Sequence, residues 1–313
     1  MQRRDPGLLA PAEIATDVLA YAPGLETEVD VSAEALWNLD SSDMGPAHWD
    51  ALAAALAERM SAYDGFVVLH GTDTMAWTAS ALSFALRGLP KPVVLTGAQR
   101  PIAFVRTDAR NNVIHSALCA AMPIPEVGIF FGRWLFRGNR ATKTSIQGYE
   151  AFESPDCPPL VEMGVDVRKI KTPLQPHGPF QLQPGFEHRV GIVPVVPGST
   201  PALLETAVAT GLRGVVVEGF GAGNVPQAGW PGAIRGAVDA GVAVVIGSQC
   251  ARGRVDLQAY EGGRAALDCG AMGASAMTRE CATVKLMHLL ARSRDRAVIA
   301  AAFGTDVAGE GSS

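Results

Sequence analysis

Apolar positions follow two different periods along the first half of the chain. Runs of four or five apolar residues, such as Phe66–Leu69 and Val127–Phe131, have the length and composition of buried strands. Residues 50–63 and 108–121 carry apolar side chains three or four positions apart and are predicted helices, as are residues 78–87, which Gly88 and Pro90 close. Strands separated by helices of this length need parallel crossover connections. We therefore predict a doubly wound, mostly parallel sheet of the flavodoxin or Rossmann type.

The periodic pattern breaks in the segment 171–189, which holds four prolines and little periodicity. It resumes with strands predicted at 190–195, 214–218 and 242–246 and a helix at 203–209. We accordingly predict an N-terminal α/β domain at 1–172, a linker at 173–189 and a second, smaller α/β domain at 190–313. No element is assigned beyond 246, and the tail 309–313 is expected to fray.

Composition and charge exclude several classes of function. The net charge of −5, without a basic run, gives no reason to expect nucleic acid or an anionic membrane as partner. The apolar runs are far shorter than the roughly 20 residues of a membrane-spanning helix. Five scattered cysteines without a C-x-x-C pair favour neither a disulfide framework nor a zinc site. We expect no metal, no cofactor and a cytoplasmic location.

The strongest chemical signal follows the strand Phe66–Leu69, where the chain continues as His-Gly-Thr-Asp-Thr-Met at 70–75. In open α/β sheets the ligand crevice lies at the carboxyl ends of the strands. Thr72 offers a hydroxyl and Asp73 a carboxylate, although Asp73 could simply cap the helix that begins near Met75. If Lys143 lay against both, the carboxylate would hold the ammonium and the amine could take the hydroxyl proton.

Other polar positions allow two interpretations. Asp40 and Ser41 could cap a helix beginning near Pro46 or grip the amino and carboxylate groups of a substrate. The glycine-rich stretch 219–224 lacks the G-x-G-x-x-G pattern, so we do not expect a nucleotide site. His70 and His115 are interpreted as core or loop histidines satisfied by the backbone.

Several of these segments together resemble the bacterial-type L-asparaginases, closest to the cytoplasmic type I branch. The resemblance runs over essentially the whole chain. It is carried, in the family's order and spacing, by residues 40–44, 70–75, Thr96-Gly97 with Gln99, 137–143 and 221–226.

The resemblance implies hydrolysis of L-asparagine to L-aspartate and ammonia through a threonine acyl-enzyme, with no cofactor. Thr72, Asp73 and Lys143 would form the catalytic triad of the family's second threonine. Asp73 would also meet the α-amino group of the substrate, and Asp40 and Ser41 would hold its α-amino and α-carboxylate ends. Asn224 resembles a residue that reaches the site of a neighbouring subunit, which implies a homo-oligomer, either a dimer or a tetramer.

The chain departs from the family at its first motif, T-G-G-T, which carries the usual nucleophile. The sequence contains no T-G-G, and Leu8 or Leu9 stands where some relatives have a flap tyrosine. We expect either that translation starts upstream, which we favour, or that the product is chemically compromised. As written, the chain is expected to lack a central strand, fold poorly and turn over little asparagine.

Two rival functions stay open. One is the amidase subunit of a tRNA-dependent amidotransferase, which would need an extra N-terminal domain and a docking surface for RNA. The other is a non-catalytic protein that keeps the amino-acid pocket and binds asparagine without releasing ammonia.

Overall fold

The chain forms two compact units, Met1–Pro184 and Gly185–Ser313, whose division falls inside the predicted linker. The structure, a computed structural model, describes residues 2–5, 8–10, 20 and 22–311. In the first unit the helices are α1 (Pro46–Arg59), α2 (Met75–Ala85) and α3 (Ala109–Ala120). Its strands are β1 (Gln2–Asp5), β2 (Leu8–Ala10), β3 (Phe66–Leu69), β4 (Leu86–Arg87), β5 (Val93–Thr96), β6 (Val127–Phe131), β7 (Trp134–Arg137), β8 (Thr142–Lys143), β9 (Phe152–Glu153), β10 (Val161–Met163), β11 (Val167–Lys169) and β12 (Gln181–Leu182).

The main sheet of this unit has the strand order β11-β10-β7-β6-β5-β3. Strands β3, β5 and β6 are parallel, with crossovers through α2 and α3, as predicted. From β6 onward the sheet turns antiparallel through β7, β10 and β11, which the sequence pattern does not predict. The doubly wound α/β fold is therefore confirmed, with an antiparallel flank added to it.

Two short pairs complete the first unit. Strand β8, which carries Lys143, pairs with β9 as a separate antiparallel hairpin. Strand β4 pairs with β12, so the helix predicted at 78–87 ends at Ala85 instead. The flap positions Leu8 and Leu9 lie on β2, and their side chains are outside the described residues.

The second unit is built on a four-stranded parallel sheet. Its strands, in spatial order, are β13 (Val190–Pro194), β14 (Gly214–Gly219), β15 (Ala243–Ser248) and β16 (Met272–Gly273). Its helices are α4 (Ala202–Ala209), α5 (Trp230–Asp239), α6 (Glu261–Asp268), α7 (Arg279–Leu290) and α8 (Arg296–Phe303). Every residue of β14 is buried, as a central parallel strand requires.

The Glu187 carboxylate lies near the amino ends of β13 and β14, and its side chain is 8% exposed. Glu187 receives hydrogen bonds from Arg189 and Arg213. The pKa of Glu187 is lowered to about 2, chiefly by the side-chain hydrogen bond from Arg189. The backbone N–H of Arg189 and the Arg213 side chain lower it further, whereas burial acts in the opposite direction.

The expectation that the tail frays is wrong for residues 309–311. The Glu310 side chain is 1% exposed and accepts a 2.6 Å hydrogen bond from the Lys285 ammonium, itself 2% exposed. That ammonium also donates to the carbonyls of Phe303 and Thr305. A buried charge needs such partners, and they fix the segment after α8 against α7. Ser312 and Ser313 lie outside the described residues.

No helix in the described part of the chain combines the length and the apolar character that a bilayer crossing requires.

Candidate active site

Thr72, Asp73 and Lys143 meet at the carboxyl end of β3. The Nζ atom of Lys143 lies 2.8 Å from Oγ1 of Thr72 and 2.6 Å from Oδ1 of Asp73. Thr72 and Asp73 stand on the loop between β3 and α2, whereas Lys143 ends β8, 71 residues after Thr72. The fold thus brings together the three side chains that the sequence analysis singled out for catalysis.

Asp73 does not act as a helix cap. The N-cap of α2 is Thr74, which makes no side-chain capping bond and instead donates from Oγ1 to the carbonyl of Ser41 at 2.6 Å. The Asp73 carboxylate faces the Lys143 ammonium, so the capping interpretation of this residue is wrong. A lysine held between a hydroxyl and a carboxylate can take the hydroxyl proton when its amine is neutral and return a proton when it is charged.

Ser41 lies against the same loop. It is buried, and a Cβ atom added to Gly71 would approach its Oγ to 2.6 Å and its Cβ to 2.7 Å. Only glycine at position 71 lets Ser41 sit this close to the backbone before Thr72. Ser41 therefore borders the Thr72 loop.

Asp40 caps the short 3₁₀ helix Ser41–Asp43 rather than α1, whose N-cap is Gly45. Its Oδ1 accepts from the backbone N–H and the hydroxyl of Ser42, both at 2.9 Å. These two bonds, the backbone one first, hold the pKa of Asp40 below its ordinary value despite partial burial. The carboxylate consequently keeps its negative charge for a cationic group.

The two histidines differ. Nδ1 of His70 lies 2.6 Å from the Gly71 carbonyl and Nε2 lies 2.9 Å from Oγ1 of Thr78. Since a carbonyl only accepts, Nδ1 carries the proton, and burial lowers the pKa of His70 and keeps the ring neutral. His115 instead packs edge-on against Phe130 and its Nδ1 has no hydrogen-bond partner among the described residues, so the prediction of backbone satisfaction is wrong there.

Asn224 stands in the second unit, on the tight loop that follows β14. Its backbone exchanges hydrogen bonds with Phe220, and Gly221 and Gly223 supply the positive φ angles that the loop needs. The Oδ1 atom of Asn224 is buried and has no hydrogen-bond partner within the described part of the chain. This atom lies against α6 of the same unit, since a Cβ atom added to Gly262 would approach it to 2.4 Å.

Gln99 lies within the site, although its residue type predicts no catalytic or binding role. This residue follows β5, and its Oε1 faces the Thr72 hydroxyl at 3.5 Å. Its Nε2 donates to the carbonyls of Ser145 and Gly148. A polar residue in the loop after the strand that neighbours β3 is the signal that could have found it.

Comparison with known proteins decides the family. Residues 1–175 match the family described as "Asparaginase, N-terminal" and residues 189–303 match "Glutaminase/Asparaginase C-terminal domain". The chain belongs to the asparaginase family. L-asparaginase 1 of Escherichia coli K12 is 40% identical over 276 residues, which cover 87% of this chain and 82% of that protein.

Solved structures of this family share the fold. The thermostable L-asparaginase from Thermococcus kodakarensis superimposes with a TM-score of 0.90 at 33% identity, over 95% of this chain and 91% of that one. Another relative within the family is a glutamyl-tRNA(Gln) amidotransferase subunit of Methanopyrus kandleri. It is 37% identical over 97% of this chain and 70% of its own length.

Proposed function

We propose that this chain hydrolyses the side-chain amide of L-asparagine to give L-aspartate and ammonia. The observation that carries the proposal is the Lys143 ammonium, 2.8 Å from the Thr72 hydroxyl and 2.6 Å from the Asp73 carboxylate. Similarity to L-asparaginases over both units supports the choice of asparagine as substrate.

In the proposed reaction a threonine oxygen attacks the amide carbon and forms an acyl-enzyme. Lys143 takes the hydroxyl proton in its neutral amine form and passes it to the leaving nitrogen, which departs as ammonia. Water then hydrolyses the ester to aspartate and restores the threonine hydroxyl. Asp73 stabilises the positive charge on Lys143 in this step, and backbone N–H groups meet the charge on the carbonyl oxygen. Asp40 and Ser41 hold the α-amino and α-carboxylate groups of the substrate.

Turnover by residues 1–313 is proposed to be low. The resemblance assigns catalysis to two threonines, and the sequence holds the second, Thr72, but no T-G-G segment for the first. Activity at the level of an ordinary L-asparaginase, measured on these 313 residues, would refute this part of the proposal.

Ammonia release from L-asparagine is the direct test, with Thr72→Val and Thr72→Ser as matched variants. The serine variant keeps the hydroxyl and should retain part of the parent rate, whereas the valine variant should lose at least about 100-fold. Asparagine binding by calorimetry without ammonia release, in the parent chain, would instead support the non-catalytic binding protein.

A second candidate is the amidase role in a tRNA-dependent amidotransferase, because amidotransferase relatives align with 97% of this chain. The chain aligns with only 70% of the Methanopyrus kandleri protein. Ammonia release that depends on added glutamyl-tRNA would favour this role. Release from free asparagine at the same rate with and without tRNA would favour the first.

We also propose a cytoplasmic homo-oligomer in which Asn224 completes the site of a neighbouring copy. The resemblance of Asn224 to a family residue that reaches the site of a neighbouring subunit supports this assembly. Light scattering after size exclusion should give at least a dimer, and Asn224→Ala should raise the KM for asparagine. A monomer with full activity would contradict this assembly.

A further inference from the structure

Lys143 and Thr72 come from parts of the fold that no common strand or helix connects. Thr72 follows β3 in the main sheet, whereas Lys143 stands on the separate β8–β9 hairpin. A proton can pass between Nζ and Oγ1 only if the hairpin is held at the right distance from the sheet. Some contact other than strand pairing has to set that distance.

Gln99 makes contact with both sides. Its Nε2 donates to the carbonyl of Ser145 at 3.2 Å and to that of Gly148 at 3.1 Å, both in the turn that connects β8 to β9. Its Oε1 lies 3.5 Å from the Thr72 hydroxyl, at the long limit of a hydrogen bond. One side chain therefore bridges Thr72 and the hairpin that carries Lys143.

The orientation of the Gln99 amide is determined by its partners. Two carbonyl oxygens can only accept, so the NH₂ end must face the hairpin and the oxygen must face Thr72. The Thr72 hydroxyl in turn accepts from Lys143 and directs its own proton toward the Gln99 oxygen. Each N–H or O–H group in this network thus points to an oxygen that can accept from it.

The backbone of Gln99 is itself fixed. The Asp108 carboxylate, which is buried, accepts from the backbone N–H of Gln99 at 2.9 Å and from that of Arg100 at 3.0 Å. Asn112 donates to the carbonyl of Gly97, two residues before Gln99. Because its backbone is fixed, the Gln99 side-chain amide can keep the Thr72 hydroxyl and the β8–β9 hairpin at a constant distance from each other.

We propose that Gln99 is a positioning residue for the asparagine hydrolysis proposed above. It holds the β8–β9 hairpin so that Lys143 meets the Thr72 hydroxyl. Gln99 acts through Thr72 and Lys143 and takes no part in bond making or breaking.

Three variants test this role. Gln99→Met removes the donor and the acceptor at nearly constant length, and Gln99→Glu keeps an acceptor but loses the two bonds to the hairpin. Gln147→Met is the matched control, because Gln147 is an exposed glutamine of the same turn for which the structure shows no side-chain hydrogen bond among the described residues. Gln99→Met should lower kcat by about 10- to 100-fold and change KM by less than about threefold.

A double-mutant cycle separates positioning from general damage to the fold. In a Lys143→Met background, Gln99→Met should change kcat by less than about twofold, since the residue through which it acts is gone. Additive losses in the two backgrounds, or parent-like kcat in Gln99→Met or Gln99→Glu, would overturn the inference.

Hydrogen exchange of residues 142–153 provides a readout that needs no turnover. The proposal requires faster exchange in both Gln99 variants and unchanged exchange in Gln147→Met; equal exchange in all of them overturns it. If the parent chain releases no ammonia, the proposed reaction is refuted. Faster exchange in the Gln99 variants would in that case still support the contact between Gln99 and the hairpin.

Discussion

Replacing Asp73 by asparagine tests whether its charge supports proton transfer. The change keeps the shape of the side chain and removes the carboxylate that lies 2.6 Å from the Lys143 ammonium. As the Thr72 proton moves to the neutral amine of Lys143, positive charge develops beside Asp73, so the carboxylate stabilises the transition state more than the reactant state.

The magnitude follows from the distance and the exposure. Two unit charges 2.6 Å apart attract by about 1.6 kcal/mol in water and by about 6 kcal/mol at an effective dielectric constant of about 20. The Asp73 side chain is 68% exposed and that of Lys143 is 18% exposed, so the lower end applies to this pair. A loss of about 2 kcal/mol corresponds to a decrease in kcat of about 30-fold.

Stability should hardly change in the same variant. Desolvation and side-chain entropy offset the attraction in an exposed pair, whose net contribution to the free energy of unfolding is below about 1 kcal/mol. Ammonia release from asparagine gives kcat, and chemical denaturation of the same preparations gives the free energy of unfolding.

Asp64→Asn is the control for this experiment, because it makes the same change at an exposed aspartate for which the structure shows no ion pair with any described residue. A kcat within about threefold of the parent in Asp73→Asn would refute the role of the charge. So would a loss of activity that parallels a loss of stability.

Three further outcomes follow from the structure. Gly71→Ala should lower activity by about 10-fold with asparagine as substrate, because its Cβ would meet Ser41 at 2.6 Å; parent-like rates would contradict this close contact. Glu310→Gln should cost about 3–5 kcal/mol of unfolding free energy by urea denaturation, since it leaves the buried Lys285 ammonium without its counter-ion; a cost below about 1 kcal/mol would count against the burial of that pair. The pKa of Glu187 is lowered to about 2, so its carboxylate contributes stability above pH ~4.5 that is lost as the pH falls toward 2. Glu187→Gln should therefore reduce the pH-dependent part of the unfolding free energy by about 1–2 kcal/mol, a value that allows for screening of the charges by solvent.

The parallel parts of the fold could be predicted because their pattern is local. The strands Phe66–Leu69 and Val127–Phe131 have the predicted bounds. Val127–Phe131 is buried throughout, as an unbroken apolar run predicts. Phe66–Leu69 is instead the last strand of the described sheet and is only partly buried, with Leu69 45% exposed, so the prediction of a buried strand is wrong there. Helix α7 behaves differently. Of its 12 residues 10 are buried, so it lacks the amphipathic period that a sequence pattern detects. Helix α2 is buried at 9 of its 11 residues and is still predicted in part, at 78–87 against the observed Met75–Ala85.

The antiparallel flank of the main sheet depends on pairings between short strands. Strand β10 has three residues and pairs with β7, which lies about 25 positions earlier in the chain. Three residues carry too little periodicity to be recognised, and their partner is defined only by the folded sheet.

The site divides in the same way. Thr72, Asp73 and Lys143 are recognisable from residue type and from the resemblance, although no local pattern predicts a contact between positions 71 residues apart. Gln99 escapes a search for charged or nucleophilic groups because an amide is neutral. Its interaction with two carbonyls 46 and 49 residues away exists only once the hairpin has formed.

The Lys285–Glu310 pair has a consequence for how the second unit is made. Its partners are 25 residues apart, so α7 emerges from the ribosome well before the carboxylate that neutralises its buried ammonium. Until then, packing α7 into the sheet would bury an uncompensated charge. We therefore expect the second unit to remain incompletely packed during vectorial synthesis until Glu310 has emerged, whereas the first unit can complete its core earlier.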